Sequence, residues 1–259
     1  MQPLLTINNL CKNYRRSNSL FSSSLESAYK NINFSLQPGQ TLSIIGESGS
    51  GKSTLVQTIA GLRKQTSGNI YLRGKVLTEL SNQERCKSIR MLFHAPSSSL
   101  NPKATIGRIL IAPLLLNSNL TVIECEEQIK KTLNLVGLLP DYLAFYPNML
   151  SSIQQHQVAL ARAMVLEPDI IIADEILAGL DISLRFKIVN LLLKIQEKKG
   201  VSYIFVAHNM NLVRHISDHI IVMHNGKIVE NDTTENVYNF PKSQKTKHLL
   251  QSHQPDYRK

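Results

Sequence analysis

The residues best suited to chemistry form one short run, "GESGSGKST": Gly46, four further residues (Glu47, Ser48, Gly49, Ser50), then Gly51, Lys52, Ser53 and Thr54. Glycines at this spacing let successive backbone N–H groups turn inward and cradle phosphates. Lys52 would bring a point charge to the outer phosphates, and the Ser53 hydroxyl would ligate Mg2+. A flexible glycine loop is the plain alternative, but such a loop needs neither the lysine nor the serine that follow.

A second set of candidates lies in "DIIIADE", where an apolar, β-branched run ends in Asp174 and Glu175. Two carboxylates at the end of a buried strand are expensive unless a cation or a reaction uses them. Asp174 would hold a magnesium ion through its water shell, and Glu175 would polarise an attacking water as general base. His208 ends another apolar run, "IFVAH", and could contact a γ-phosphate. A histidine at a strand end is otherwise a structural residue.

These residues need elements to position them. "TLSIIG" reads as a buried strand leading into the glycine run, and "KSTLVQTIAGL" as the helix leaving it, its N-terminus facing the anion. "DIIIADE" and "VSYIFVAH" read as buried parallel strands, and "SLRFKIVNLLLKIQEKKG" between them as an amphipathic helix stopped at Gly200. The opening "LLTINNLCKNY" and "KNINFSLQPGQ" read as strands around a Ser/Asn-rich loop, and "TSGNIYLRGKVL" as a hairpin. Residues 97–166 are mostly helical in pattern, interrupted by Pro102, Pro113, Pro140 and Pro147. Strands alternating with helices predict an α/β protein with a parallel sheet. The last stretch, from "NFPKSQK" onward, reads as a loosely held basic tail.

Composition narrows the class. The chain has 259 residues, 42% hydrophobic and 19% charged, which suits a globular protein with a sizeable core. Cys11, Cys86 and Cys125 are far apart, so neither a disulfide framework nor a cysteine metal site is expected. The N-terminus lacks a basic segment followed by an apolar core, so no signal peptide is expected. The apolar run Ile109–Leu116 is far short of the roughly 20 residues that span a bilayer. The formal charge of +10 is scattered, without a Lys/Arg block or interleaved aromatics, and no nucleic-acid partner is expected.

Taken in order, "GESGSGKST", "MLFHAPSSSLNP", "MLSSIQQHQVALARAM", "DIIIADEILAGLD" and "IFVAHN" resemble the five landmarks of ABC transporter nucleotide-binding subunits. These are the Walker A loop, glutamine loop, signature, Walker B strand with its D-loop, and switch histidine. "SLNP", "VGLLPDYLAFYPNML" and "NFPKSQKTKHLL" resemble more narrowly the oligopeptide/dipeptide importer group and its Sap-type peptide-transport members. The resemblance covers nearly the whole chain.

It implies a P-loop NTPase fold: a RecA-like core, an N-terminal antiparallel β-subdomain and an inserted α-helical subdomain. The implied layout is a nucleotide-binding domain over residues 1–235, with helices inserted at about 97–166, and a basic tail over 236–259. ATP and Mg2+ are the implied ligands, bound by Gly46 through Thr54 with Asp174, while Tyr14 matches the aromatic that stacks on adenine. A strand tyrosine would look the same. In this family ATP is closed between one subunit's Walker motifs and another's signature, so Ser151 would face the partner's ATP, and Ala178–Asp181 would cross the interface. The implied partners are a second, non-identical ATPase subunit, transmembrane permease subunits and, indirectly, a periplasmic substrate-binding protein. The implied location is the cytoplasmic face of the inner membrane, as a peripheral subunit.

The chain departs from the family pattern at four places. His94 stands where a glutamine touches Mg2+ and water, and Ala95 follows it; histidine still hydrogen-bonds, so the change reads as tuning. Ser152 and Ile153 replace the two signature glycines, and Ile153 brings a stiff, branched Cβ where backbone should approach a phosphate. Gln157 replaces an arginine, and Ile176 replaces the proline after Glu175. The signature losses fall on the partner's ATP, which predicts an asymmetric pair with one competent and one weakened site. An ATP-binding regulatory subunit with negligible hydrolysis is the alternative. A soluble ABC protein acting on ribosomes or DNA is a third reading, lacking the paired units or long coiled-coil insertion usual there.

Overall fold

The computed structural model describes residues 2–19, 22–93, 99–207 and 209–252. In chain order the elements are β1 (Leu5–Ser19), β2 (Ser22–Leu36), β3 (Thr41–Gly46), α1 (Lys52–Ile59), β4 (Ser67–Leu72), β5 (Lys75–Val76), α2 (Asn82–Ser88) and β6 (Ile89–Leu92). Next come α3 (Ile106–Asn117), α4 (Val122–Val136), α5 (Ser152–Met164), β7 (Ile170–Asp174), α6 (Ile182–Lys199) and β8 (Ser202–Val206). The chain closes with α7 (Met210–Ile216), β9 (His219–His224), β10 (Lys227–Thr233), α8 (Thr234–Asn239) and α9 (Gln244–Ser252). It divides into two compact units, Met1–Leu80 with Tyr203–Lys259, and Ser81–Ser202.

In the first unit, β2-β1-β4-β5 form an antiparallel sheet, and a second group runs β10-β9-β3-β8. There β3 lies between two parallel neighbours, Thr41 beside Tyr203 of β8 and Leu42 beside His219 of β9. Every residue of β3 and β8 is buried, which is why these strands read as apolar runs without alternation. The Tyr29 hydroxyl of β2 donates to Thr58 Oγ1 of α1 at 2.9 Å, pinning the helix behind the glycine run. Burial pushes that hydroxyl up to about 12, with the Thr58 bond pulling the other way.

In the second unit β6 and β7 pair in parallel, from Ile89 beside Ile170 to Leu92 beside Ala173. Helices α2 and α5 pack against β6. α4 begins with a capping box, in which Thr121 Oγ1 accepts from the Glu124 N–H and Glu124 accepts from the Thr121 N–H. It ends at Gly137 in the left-handed conformation. α6 stops at Gly200 as the sequence predicts.

Three expectations change. The loop predicted over residues 15–29 is strand for most of its length, because β1 and β2 pair from Leu5–Leu36 out to Ser19–Ser22 and cross-strand bonding overrides the weak strand propensity of Ser and Asn. Pro113 lies inside α3 and does not end it. Its ring is buried on the same face as Ile106, Ile109, Leu110 and Leu114, and that burial offsets the missing hydrogen bond. The C-terminal stretch is not loose as far as residue 252. The N–H groups of Lys242 and Ser243 donate to the Glu230 carboxylate at 2.9 and 3.0 Å, and α9 buries Thr246.

Candidate functional site

The glycine run carries β3 into α1 through three glycines at positive φ: Gly46 (147°), Gly49 (80°) and Gly51 (98°). Two of these differ in what surrounds them. A Cβ on Gly51 would lie 2.4 Å from the Ala28 carbonyl oxygen, so the side chain is excluded by backbone. A Cβ on Gly49 would meet nothing within 4 Å, so that peptide borders open space and is free of protein there. The run is braced by Ser50 N–H to Glu47 C=O (3.2 Å) and by Gly226 N–H to Ser50 C=O (3.2 Å). Glu47, Ser48 and Gly49 are exposed at its rim, while Ser50 and Lys52 are buried. Glu47 pairs with His224 at 3.5 Å, a contact between residues far apart in sequence.

Lys52 turns its ammonium back onto the loop that precedes it. It donates to the carbonyls of Gly46 and Glu47, both at 2.8 Å, and reaches Ser50 Oγ at 3.5 Å. A cation held on carbonyl dipoles at the head of an eight-residue helix makes an anion-binding concavity. Ser53 and Thr54, in the first turn of α1, are half-exposed. The residues present thus fit a phosphate chain.

Tyr14 lies on β1, half-buried. Its ring has the Lys12 ammonium 5.0 Å from the centroid and the Arg63 guanidinium at 5.9 Å, and its hydroxyl accepts from Arg63 at 3.2 Å. The ring is therefore oriented by cations, a feature the sequence did not signal.

In the second unit, β7 is buried throughout and delivers Asp174, itself buried, at its C-terminal end. Glu175 follows with φ 51°, left-handed for a residue with a Cβ, a conformation costing on the order of 1–3 kcal/mol that persists only where the surroundings impose it. The turn is closed by Ala178 N–H to Glu175 C=O at 3.1 Å. Asp181 caps α6, its carboxylate accepting from the Leu184 N–H at 2.9 Å. Among the described residues no cluster of three or more metal-ligating side chains occurs.

Ser151 opens α5 in an extended conformation (φ −64°, ψ 161°) and is exposed. Both its N–H and its Oγ–H donate to Gln154 Oε1 at 2.9 Å, and Gln154 Nε2 donates to the Tyr142 hydroxyl at 2.8 Å. Gln155 donates to the carbonyls of Pro147 and Leu150. Ser152 and Ile153 are ordinary helical residues of the first turn, so their replacement of glycine strains no backbone here. The expected obstacle at Ile153 narrows to side-chain bulk at a half-exposed position. Gln157 donates to Val136 C=O at 2.8 Å, so the residue replacing the usual arginine ties α5 to the end of α4. His94, Ala95 and His208 lie outside the described residues.

Sequence reasoning passed over Tyr142 and His156. Nothing in the local pattern marks either, because each acts through a contact made only in the fold.

A parallel-stranded α/β core with a phosphate cradle, an acid-ended strand and an antiparallel β-sheet defines a class, and the chain belongs to the ABC transporter family, whose model matches residues 29–178. It is an ATP-binding, ATP-hydrolysing subunit of the kind that drives transport. The putrescine export system ATP-binding protein SapF of Escherichia coli K12 is 44% identical, over 98% of this chain and 94% of that one. The peptide transport system ATP-binding protein SapF of Salmonella typhimurium is 43% identical over the same shares. The dipeptide transport ATP-binding protein DppF of Haemophilus influenzae is 36% identical over 96% of this chain and 77% of its own length. Among solved structures, the post-hydrolysis dimer of the ATP-binding cassette MJ0796 with ADP and Pi superposes with a TM-score of 0.75 at 29% identity, over 89% of this chain and 98% of that one. No helix among the described residues is long and apolar enough to cross a membrane.

Proposed function

We propose that this chain is the peripheral ATPase of a peptide-type transporter at the cytoplasmic face of the inner membrane, working beside a second, non-identical ATPase and membrane permease subunits. The observation that carries this reading is the loop itself: open at Gly49, with the Lys52 ammonium held on the carbonyls of Gly46 and Glu47. Gly46 through Thr54 hold the phosphates of Mg–ATP, Ser53 ligates the magnesium, and Asp174 holds it through water. Glu175 acts as general base and His208 contacts the γ-phosphate. His94 tunes the same site, and Tyr14 stacks on adenine. Ser151 serves the partner's nucleotide.

The solute class rests on the relatives. Two that match over nearly the whole chain are named for putrescine export and for peptide transport. What putrescine and basic peptides share is positive charge, and we read the solute as a cationic peptide or polyamine selected by subunits other than this one. A periplasmic binding protein would then act only through the permease.

The asymmetry has its own support. The residues assigned to this chain's own ATP keep their usual identities except at His94, Ala95 and Ile176, whereas the signature has lost both glycines. The test is Glu175→Gln here and, separately, at its counterpart in the sister subunit, with ATP turnover of the co-purified complex as readout. We expect the substitution here to remove most turnover, by about 10²-fold or more, as loss of a general base does. The sister substitution should remove a minor share. Equal losses would sink the asymmetry, and a fully active Glu175→Gln chain would sink the site assignment.

A further inference from the structure

His156 lies on α5, one turn after the altered signature, and is buried. Its Nδ1 is 2.8 Å from the carbonyl oxygen of Ser152, and its Nε2 is 3.0 Å from the carbonyl oxygen of Ile176. Both partners are acceptors. A neutral imidazole donates to one of them only, and the cation donates to both. The ring therefore spans from the first signature-helix turn to the residue immediately after Glu175. No side chain in the sequence pattern announces this pairing, since 20 residues separate its ends.

The far end of the span is the strained one. Glu175 holds φ 51°, and such a backbone stays put only where neighbours fix it. Contacts that help to fix this turn include Ala178 N–H to Glu175 C=O, the buried side chains of Ile176 and Leu177, and the bond from His156. The cavity beside the ring, bordered by Leu92, Leu160, Ile176 and Ile188, is only about 10 Å3. That is marginal for a single water while the imidazole is in place.

We propose that His156 is a positioning residue that links the signature turn to the turn carrying the general base. Ser151 is assigned to the partner's nucleotide and Glu175 to this chain's own, so the imidazole ties the helix that follows Ser151 to the turn that carries Glu175. The proposal rests on the assignment of Glu175 given above. It differs from a core-filling role, in which any side chain of similar volume would serve.

Amide side chains separate the two ends of the ring, because a Gln amide nitrogen takes the place of Nε2 and an Asn amide nitrogen that of Nδ1. The test is steady-state ATP turnover of the assembled complex carrying His156→Leu, His156→Gln or His156→Asn, each compared with wild type and with Glu175→Gln. We expect His156→Leu and His156→Asn to lower kcat about tenfold or more with KM for ATP changed less than threefold. That split marks lost positioning of the reacting groups and not lost binding. His156→Gln, which keeps a donor toward Ile176, should return kcat to within threefold of wild type. If His156→Leu does not assemble, His156→Asn carries the comparison alone. Wild-type kcat in both variants overturns the proposal, as does a loss of equal size in His156→Gln. If Glu175→Gln is itself active, the assignment of the base has failed and not the link.

Discussion

Two turns in this molecule lead a chain into a helix, and both are assigned to ATP phosphates, yet they treat glycine oppositely. In the phosphate loop Gly46, Gly49 and Gly51 have φ of 147°, 80° and 98°, so the conformation itself selects glycine. In the signature turn Ser151 is extended and caps α5, while Ser152 and Ile153 are helical. Any residue adopts those angles, and replacing glycine there favours the helix by up to ~1 kcal/mol. Loss of a glycine is thus a backbone failure in the first turn and a change of surface bulk in the second. The lesson is that a motif can lose its consensus residues and keep its shape, provided the missing glycine was needed by the ligand and not by the chain.

The strongest way to break this comparison is Gly51→Ala. Its Cβ would lie 2.4 Å from the Ala28 carbonyl in a left-handed conformation. We expect turnover at this chain's own site to fall by ~10²-fold, the scale of losing a positioned oxyanion donor. Nucleotide titration would show whether binding is lost in parallel, and retained affinity and turnover would mean the loop is not rigid. Next in size is Ile153→Gly, made in a Glu175→Gln background so that only the sister's ATP is hydrolysed. Restoring one charge-assisted hydrogen bond, worth about 1.5–3 kcal/mol, should raise that residual turnover roughly tenfold or more. No gain would locate the weakness elsewhere in the signature.

A smaller effect is expected from Tyr142→Phe, which removes the hydroxyl that accepts from Gln154 and so frees the amide that orients Ser151. The loss is about 1 kcal/mol, a few-fold in turnover at the sister's site, with thermal stability nearly unchanged. The smallest effect tests the far end of the signature helix. Lys199 donates to Glu167 at 2.7 Å and holds that carboxyl below its ordinary range. A lowered carboxylate contributes stability above its unfolded value and loses it as pH falls through the folded one. Both side chains are about half-exposed, so solvent screens the pair and Glu167→Gln should cost well under about 1 kcal/mol near neutral pH. Thermal melts from neutral pH down to about 3 should show the two proteins converging as the carboxylate protonates, with ATP turnover alike throughout.

Much of this is legible in the chain's own chemistry. The buried strands β3, β7 and β8 announce themselves as β-branched runs, and α6 by its period and its Gly200 stop. The β9–β10 hairpin is also readable, since Asn225-Gly226 is a strong two-residue turn and both residues have positive φ (47° and 71°). Strand β6, four residues long, offers no such signal, because its pairing with β7 and not its own composition makes it a strand. The extent of β1 and β2 is hidden for the same reason.

What the sequence determined by itself is local: which residues can surround a phosphate, which acids end a buried strand, and which positions demand a backbone open to positive φ. These follow from side-chain chemistry and hydrophobic period, which act over a few residues. Tertiary structure alone decided that Tyr142 orients the signature through Gln154, that Glu47 faces His224, and that His156 joins two motifs 20 residues apart. Those contacts depend on how packed elements meet in space, and no spacing along the chain encodes a distance across a core.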